Sequence, residues 1–314
     1  MTEPVCPICR LKLRFMDSEL RCESDLHHFR VASGVPWLIG HASDAAHDEL
    51  EHHQGTLGRD PSKDAQVAFF DREVAAEFET TRPHGTPRLY QFLLEQKFQR
   101  ALDLGDSLKP MGTALVVCGG SGMDAEFVSR AGFHVTSTDI SAGAAERTME
   151  RARRFGVSIQ AVVADIERLP FLDRSFDLVL VHDGLHHLDD PFVGLTEMAR
   201  VSRQWLSITE PARAAATTIA IRAGVALERE EAGNRVARLS PREVVDHLRG
   251  AGFTASKVER YAMYYKHTPG PLMAALSRKW TFPIAAAIWR AGNALLGPIG
   301  NKVVVIAERR VESG

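Results

Sequence analysis

At 314 residues the chain has room for one large domain with attachments or for two modest ones. Its 45% hydrophobic and 25% charged residues sit at the globular average, which excludes wholesale disorder, a collagen-like repeat and an integral membrane protein. Lys and Arg number 38 against 40 Asp and Glu, a net charge of -2, so there is no broad basic field for non-specific nucleic-acid binding, and an RNA partner would need a local patch.

Three of the four cysteines, Cys6, Cys9 and Cys22, fall within the first 22 positions, a distribution that suits a metal better than a disulfide scaffold. With an imidazole from His27 or His28 they offer three thiolates and one nitrogen, enough for a closed, structural tetrahedral zinc. Unligated thiols in a reducing compartment are the alternative. The first ten residues, MTEPVCPICR, lack the long apolar run of a signal peptide, which leaves a cytoplasmic protein as the default expectation.

We read residues 1–40 as a compact knuckle and the polar stretch 41–64 as a linker, followed by one domain over 65–314. Apolar residues at helical spacing over 65–104 predict two amphipathic helices interrupted near Pro83-His84-Gly85. From residue 113, short apolar runs alternate with helical stretches: 113–118, 133–139, 159–165, 176–182 and 205–210 read as strands. After a longer insertion come strand-like runs near 253–265 and 302–310. This alternation predicts an α/β fold, a doubly wound seven-stranded mostly parallel sheet flanked by helices.

The turn after the first of these strands, Cys118-Gly119-Gly120-Ser121-Gly122, lets backbone approach a ligand while the following helix offers its free N–H groups. The next strand ends in Thr138-Asp139, where an acidic side chain in a doubly wound fold can accept both ribose hydroxyls of a nucleotide. Dinucleotides and sulfonium cofactors both satisfy these features. The third strand ends in Ala164-Asp165-Ile166-Glu167, and Leu169-Pro170-Phe171, Asp173 and Ser175-Phe176-Asp177 follow, with Leu185-His186-His187-Leu188 further on.

With these segments, residues 113–210 resemble the class I S-adenosylmethionine-dependent methyltransferases, a Rossmann-like family. The resemblance implies that Gly119, Gly120 and Gly122 line the methionine part of the cofactor, Asp139 its ribose, and Asp165 with Ile166 its adenine. Cys118, Ile140 and His182 complete the expected cofactor-binding set. Two departures stand out: many members carry an acidic residue where this chain has Val116, and Cys118 replaces the first glycine of the motif. The N-terminal pattern of Cys22, His27, Phe29 and Gly34-Val35-Pro36-Trp37-Leu38 resembles the zinc knuckle of the large-subunit ribosomal guanine methyltransferases, and that alignment favours His27 over His28.

Methyl transfer from a sulfonium needs little beyond alignment, which alone supplies about 7 to 11 kcal/mol. A general base helps when the acceptor carries a proton of high pKa, and His182 and His186 lie where the fourth strand meets its ligand edge. Either could take that proton or merely shape the pocket. Asp183 could sit by the cofactor or in a solvated turn, and Glu210 could face the acceptor pocket or be an exposed loop carboxylate. His187 reads as packing against, or capping, the helix that starts near Pro191. Among Phe70, Arg82 and Tyr90, offered by the N-terminal helices as a pocket lid, Phe70 reads more readily as core.

Residues 266–299, apolar with scattered Arg and Lys, predict a helical insertion; the prolines and cations break any run long enough to span a bilayer. It could cover an apolar acceptor, touch a membrane surface through 268–299, or form a homodimer. Tyr261, Tyr264 and Tyr265 precede it as packing residues or as the wall of an acceptor pocket. The function expected is methyl transfer to a small, apolar or lipid-linked acceptor, with S-adenosylmethionine as cofactor and zinc as a structural ion. Two rivals stand beside it: an rRNA base methyltransferase, disfavoured because Asp17, Glu19, Glu23 and Asp25 offset the basic residues of the knuckle, and a non-catalytic cofactor-binding module.

Overall fold

The computed structural model describes residues 2–16, 18–39, 61–72, 75–104, 112–213 and 238–310. At the N-terminus, β1 (Leu13–Met16), β2 (Glu19–Cys22), β3 (His28–Ala32) and β4 (Val35–Pro36) form a small antiparallel sheet. The linker stretch lies outside the described residues up to position 60, and its end is helical, because α1 spans Pro61–Asp71. Two shorter-range elements follow: α2 (Ala76–Thr81) and α3 (Arg88–Ala101). Three helices therefore stand where apolar spacing predicts two. The extra break precedes Ala76, because the spacing from Val67 to Phe78 is shared by two separate helices and periodicity alone cannot register the join.

The central sheet has the expected seven strands: β5 (Thr113–Val117), β6 (His134–Asp139), β7 (Ile159–Val163), β8 (Phe176–His182), β9 (Ser202–Pro211), β10 (Phe253–Tyr261) and β11 (Lys302–Arg309). Their order is β10-β11-β9-β8-β5-β6-β7, and β11 alone runs antiparallel to the other six. Helices α4 (Met123–Arg130), α5 (Ala142–Phe155), α6 (Pro191–Val201) and α7 (Pro241–Gly250) cover its faces. Three of them start on polar caps: the side chains of Ser141, Asp190 and Ser240 accept from Ala144, Phe192 and Glu243 N–H. The cap of α6 is thus Asp190, and His187 packs instead against the rings of Phe70 and His186.

The strand pleat divides the core. Leu115 and Val117 of β5 face one layer with Leu195, Met198, Val244 and Leu248 of α6 and α7. Ala114 and Val116 face the other, with Phe92 of α3, Val128 of α4 and Ala152 of α5. Burial on both faces is why the strands read as continuous apolar runs rather than alternating ones. Val116 is fully buried in this second layer, where an unpaired carboxylate would be costly.

The chain winds outward from β5 to β7 and then returns to β8 and β9 on the other side. The carboxyl ends of β5 and β8 therefore bound the crevice at the switch in strand order, where open α/β sheets collect ligands.

The N-terminal sheet is not free-standing. Leu38 N–H donates to Val163 O at 2.7 Å, Val5 N–H to Pro170 O at 2.8 Å, and Cys6, Cys22, Phe29 and Leu38 share a core with Val162 and Ala164 of β7 and its end.

Candidate active site

A cavity of about 640 Å³ opens over the carboxyl ends of β5, β6 and β8, within the size range of ligand pockets. The bend after β5 forms its floor. Gly120 and Gly122 adopt φ of +53° and +79°, and a Cβ at Gly122 would press within 2.9 Å of the Thr148 side chain. Cys118, standing in the position of a glycine, holds a positive φ of 51°, a conformation that ordinarily disfavours a side chain. Its Cβ lies where a side chain at Gly184 would collide, so the β5 and β8 loops meet closely. Burial, with Asp139, Glu210 and Asp165 nearby, pushes the Cys118 thiol well up, which makes it an inert thiol in this setting.

Asp139 closes the bend. Its Oδ2 accepts Gly120 N–H at 2.9 Å and its Oδ1 accepts Ser141 N–H at 2.9 Å, leaving a lone pair on each oxygen. Burial raises the Asp139 carboxyl above its ordinary value in spite of those two donors. Such a poorly solvated carboxylate gains from further hydroxyl donors. Beyond it, Ile140 and Ile166 line the cavity, and Asp165 Oδ1 accepts Glu167 N–H at 2.9 Å while Oδ2 meets Lys63 Nζ at 2.6 Å. All nine residues read from sequence as cofactor-binding lie on this cavity except Gly122, which shapes the bend from behind.

The β8 end carries the histidines. His182 is fully buried, with Nδ1 3.2 Å from Asp124 Oδ1, its ring edge-on to Phe98, and Nε2 without a partner. Burial, reinforced by the Lys97 ammonium, holds this imidazole below its ordinary pKa against the opposite pull of Asp124, so it is neutral at pH 7. Because the folded value is the lower one, this histidine's contribution to stability is complete above the unfolded value of about 6.5 and declines as pH falls toward the folded value. Denaturant midpoints of the wild type should drop across that window, and His182→Asn should flatten the drop. Equal slopes for the two proteins would show that another group governs it.

His186 lies in a short turn, Leu185–His187, and its Nδ1 is 2.8 Å from Glu210 Oε2. Glu210 is neither on the cavity nor an exposed loop carboxylate: it is fully buried, and its Oε1 accepts Gly184 N–H at 2.8 Å and Leu185 N–H at 2.7 Å. The carboxylate thereby fixes the turn and orients the imidazole in one motion. Asp183, on the cavity wall, meets Lys97 Nζ at 2.8 Å and Lys302 Nζ at 2.5 Å. Burial pushes the Asp183 carboxyl up, but Lys302 and Lys97 together hold it well below the usual carboxylate range. Sequence reasoning missed Lys97 and Lys302, one on α3 and one opening β11, because only the folded sheet brings them together.

Phe70 and Arg82 line the cavity, the latter paired with Glu79 at 2.9 Å, whereas Tyr90 is fully buried beneath it. Of the three tyrosines, Tyr265 reaches the cavity, Tyr261 is buried in the core and Tyr264 is exposed.

At the N-terminus the folding of β1 to β3 gathers Cys6, Cys9, Cys22 and His27. Their ligand atoms lie within 4.8 Å of one another, with Cys9 Sγ 3.2 Å from Cys22 Sγ and His27 Nδ1 3.5 Å from Cys6 Sγ. His28 Nδ1 points elsewhere, to Glu19 at 3.1 Å.

A family described as a methyltransferase domain matches residues 115–204, the stretch that builds the bend, Asp139, Asp165 and the histidine turn. The fold is that of the Rossmann-like methyltransferases. Among solved structures, geranyl diphosphate methyltransferase in complex with GPP and sinefungin superposes with a TM-score of 0.54 at 17% identity, over 80% of this chain and all (100%) of that one. The demethylmenaquinone methyltransferase of Corynebacterium urealyticum is 30% identical over 48% of this chain and 59% of its own length, so the chain spans little more than half of that relative. The 27-O-demethylrifamycin SV methyltransferase of Amycolatopsis mediterranei is 29% identical over 73% of this chain and 78% of its own.

Proposed function

We propose that this chain is an S-adenosylmethionine-dependent methyltransferase whose acceptor is a small, apolar or lipid-linked molecule. The observation that carries the reading is Asp139, tied to the backbone of the glycine bend and still holding lone pairs toward the cavity. The lining fits the cofactor: Asp139 would hold its ribose, Asp165 with Ile140 and Ile166 its adenine, and the backbone of Gly119 and Gly120 its methionine part. When bound, the sulfonium supplies an electrophilic methyl group. Gly120 suits the methionine part because a side chain there would project into the open cavity.

The base is His186. Glu210 accepts from Nδ1–H and so orients the ring on the cavity wall, and the buried carboxylate would stabilise the imidazolium formed when the ring takes the acceptor's proton. His182, with its side chain fully enclosed, acts as a neutral wall beside the cofactor. The apolar acceptor is supported by relatives whose names specify demethylmenaquinone and 27-O-demethylrifamycin SV, a quinone and a polyketide. Tyr265, Phe70 and Leu188 contribute apolar side chains to an otherwise strongly charged cavity wall.

Cys6, Cys9, Cys22 and His27 are the ligands of a structural zinc in this reading; the pairing of His28 with Glu19 supports His27 over His28. The geometry favours a small acceptor over RNA, since Arg10, Arg14 and Arg21 of the knuckle are paired with Glu197, Glu23 and Glu19.

Calorimetry with S-adenosylmethionine tests the cofactor site. Wild type should bind, and Asp139→Ala should bind about 30-fold more weakly, the loss of roughly one charge-assisted hydrogen bond of about 2 kcal/mol. Undetectable binding by the wild type would remove the enzyme reading. Binding without turnover on any prenylated hydroquinone or macrocyclic phenol would favour a cofactor-binding module.

A further inference from the structure

Between β10 and β11 the chain forms α8 (Pro271–Leu276) and α9 (Thr281–Leu296). One stripe of α9 is committed inward: Phe282 and Trp289 meet Phe92 of α3 at ring distances of 5.9 and 5.5 Å, and Asn293 fixes the helix through both the N–H and the O of Ala262. The opposite stripe faces outward. Leu272 of α8 is exposed as well, and along α9 Trp280 is 79% exposed, Ile284 62%, Ile288 67% and Leu295 80%. These are spaced at the helical period, so they form one continuous face rather than scattered apolar residues.

Within this segment of the chain the charge has a single sign. From Ala262 to Asn301 the sequence has no Asp or Glu, while Lys266, Arg278, Lys279 and Arg290 are all present and exposed. Lys279 lies over the Trp280 ring at 5.5 Å, an aromatic and a cation side by side at the start of the helix. A second copy of the chain would bury the apolar stripe but would bring these cations against their own counterparts across a two-fold axis, which is unfavourable. An anionic lipid surface satisfies both properties at once: the apolar side chains enter the acyl boundary while the cations meet headgroup phosphates.

We propose that the outer face of α8 and α9 docks this protein on an anionic bilayer surface as a peripheral, non-spanning contact. No helix among the described residues is long and apolar enough to cross a membrane, which is consistent with an in-plane orientation. The segment that leads into α8 also carries Tyr265 and His267 on the cavity wall, which links the docked face to the cavity along the chain. Docking stands independently of methyl transfer; only the delivery of a lipid-linked acceptor from the bilayer to the cavity rests on that reading.

The test is co-sedimentation of the full-length protein with vesicles of phosphatidylcholine alone or with 30% phosphatidylglycerol, at low and at high salt. The protein should partition onto the anionic vesicles, with a partition coefficient about 100-fold below wild type for Arg278→Glu/Lys279→Glu and a steep loss with salt. Ile284→Glu/Ile288→Glu should lose binding to a similar degree while keeping wild-type affinity for S-adenosylmethionine, which shows that the fold is intact. Absence of binding to anionic vesicles, or equal binding of the Ile284→Glu/Ile288→Glu variant, overturns the proposal. So does a dimer by light scattering that the same variant converts to monomer. Vesicle binding with no cofactor binding would sustain docking and remove the methyltransferase reading, so the two fail separately.

Discussion

Replacing Glu210 by alanine is expected to destabilise the protein by about 3 to 5 kcal/mol and to abolish methyl transfer together, because one side chain serves both purposes. The stability loss follows from two backbone donors, Gly184 N–H and Leu185 N–H, that would be left buried without an acceptor. The activity loss follows from His186, which would lose the partner at 2.8 Å that fixes its ring. Glu210→Gln separates the effects. Its amide oxygen can keep the two backbone donors, so unfolding in urea should show a loss of no more than about 2 kcal/mol. The neutral amide cannot stabilise an imidazolium, so kcat should fall about 10²-fold or more while KM for the cofactor stays near wild type. A Glu210→Gln enzyme with wild-type kcat would remove the base role from His186 and leave Glu210 as a fold element only.

Much of this site is legible in the sequence because its parts are local. The glycine bend, Asp139 and Asp165 sit at successive strand ends, and a parallel sheet brings successive strand ends to one edge whatever the details of packing. The strands themselves are legible because burial on both faces writes itself as unbroken apolar runs. What escapes the sequence depends on long-range closure. Lys97 reads as a solvated residue of an amphipathic helix, yet it is 6% exposed and paired to Asp183, 86 residues away. Glu210 is ambiguous for the same reason: a carboxylate at a strand end is exposed unless another loop folds over it, and here the turn at Leu185–His187 does so. Arg151 is a third case, fully buried in α5 beneath Glu126 and the carbonyls of Glu79 and Arg82, with no local pattern to distinguish it from its exposed neighbour Arg153.

If Cys6, Cys9, Cys22 and His27 hold the proposed zinc, its removal should weaken cofactor binding as well as unfold the first 39 residues. Metal-dependent peptides of this kind draw roughly 10 to 16 kcal/mol of folding free energy from their zinc, more than β1 to β4 could replace by packing alone. The knuckle also holds the loop that follows Asp165. Val5 N–H and the Arg10 guanidinium donate to the carbonyls of Pro170 and Leu169, Arg168 donates to Ile8 O at 2.9 Å, and Arg10 pairs with Glu197 at 3.3 Å. Loss of these restraints frees the segment 165–171 that would grip the adenine, while the bend at Gly120 and its partner Asp139 remain in place. Chelation, or Cys9→Ser, should therefore release about one equivalent of zinc and lower affinity for S-adenosylmethionine about tenfold, an ordering cost of about 1.4 kcal/mol returned to the binding step. Adenosine should lose affinity in parallel and methionine should not, since only the nucleoside end touches the supported loop. Metal analysis of the purified protein together with calorimetry on all three ligands checks this. Substoichiometric metal with freely titratable thiols, or an unchanged affinity after complete chelation, would sever the knuckle from the site.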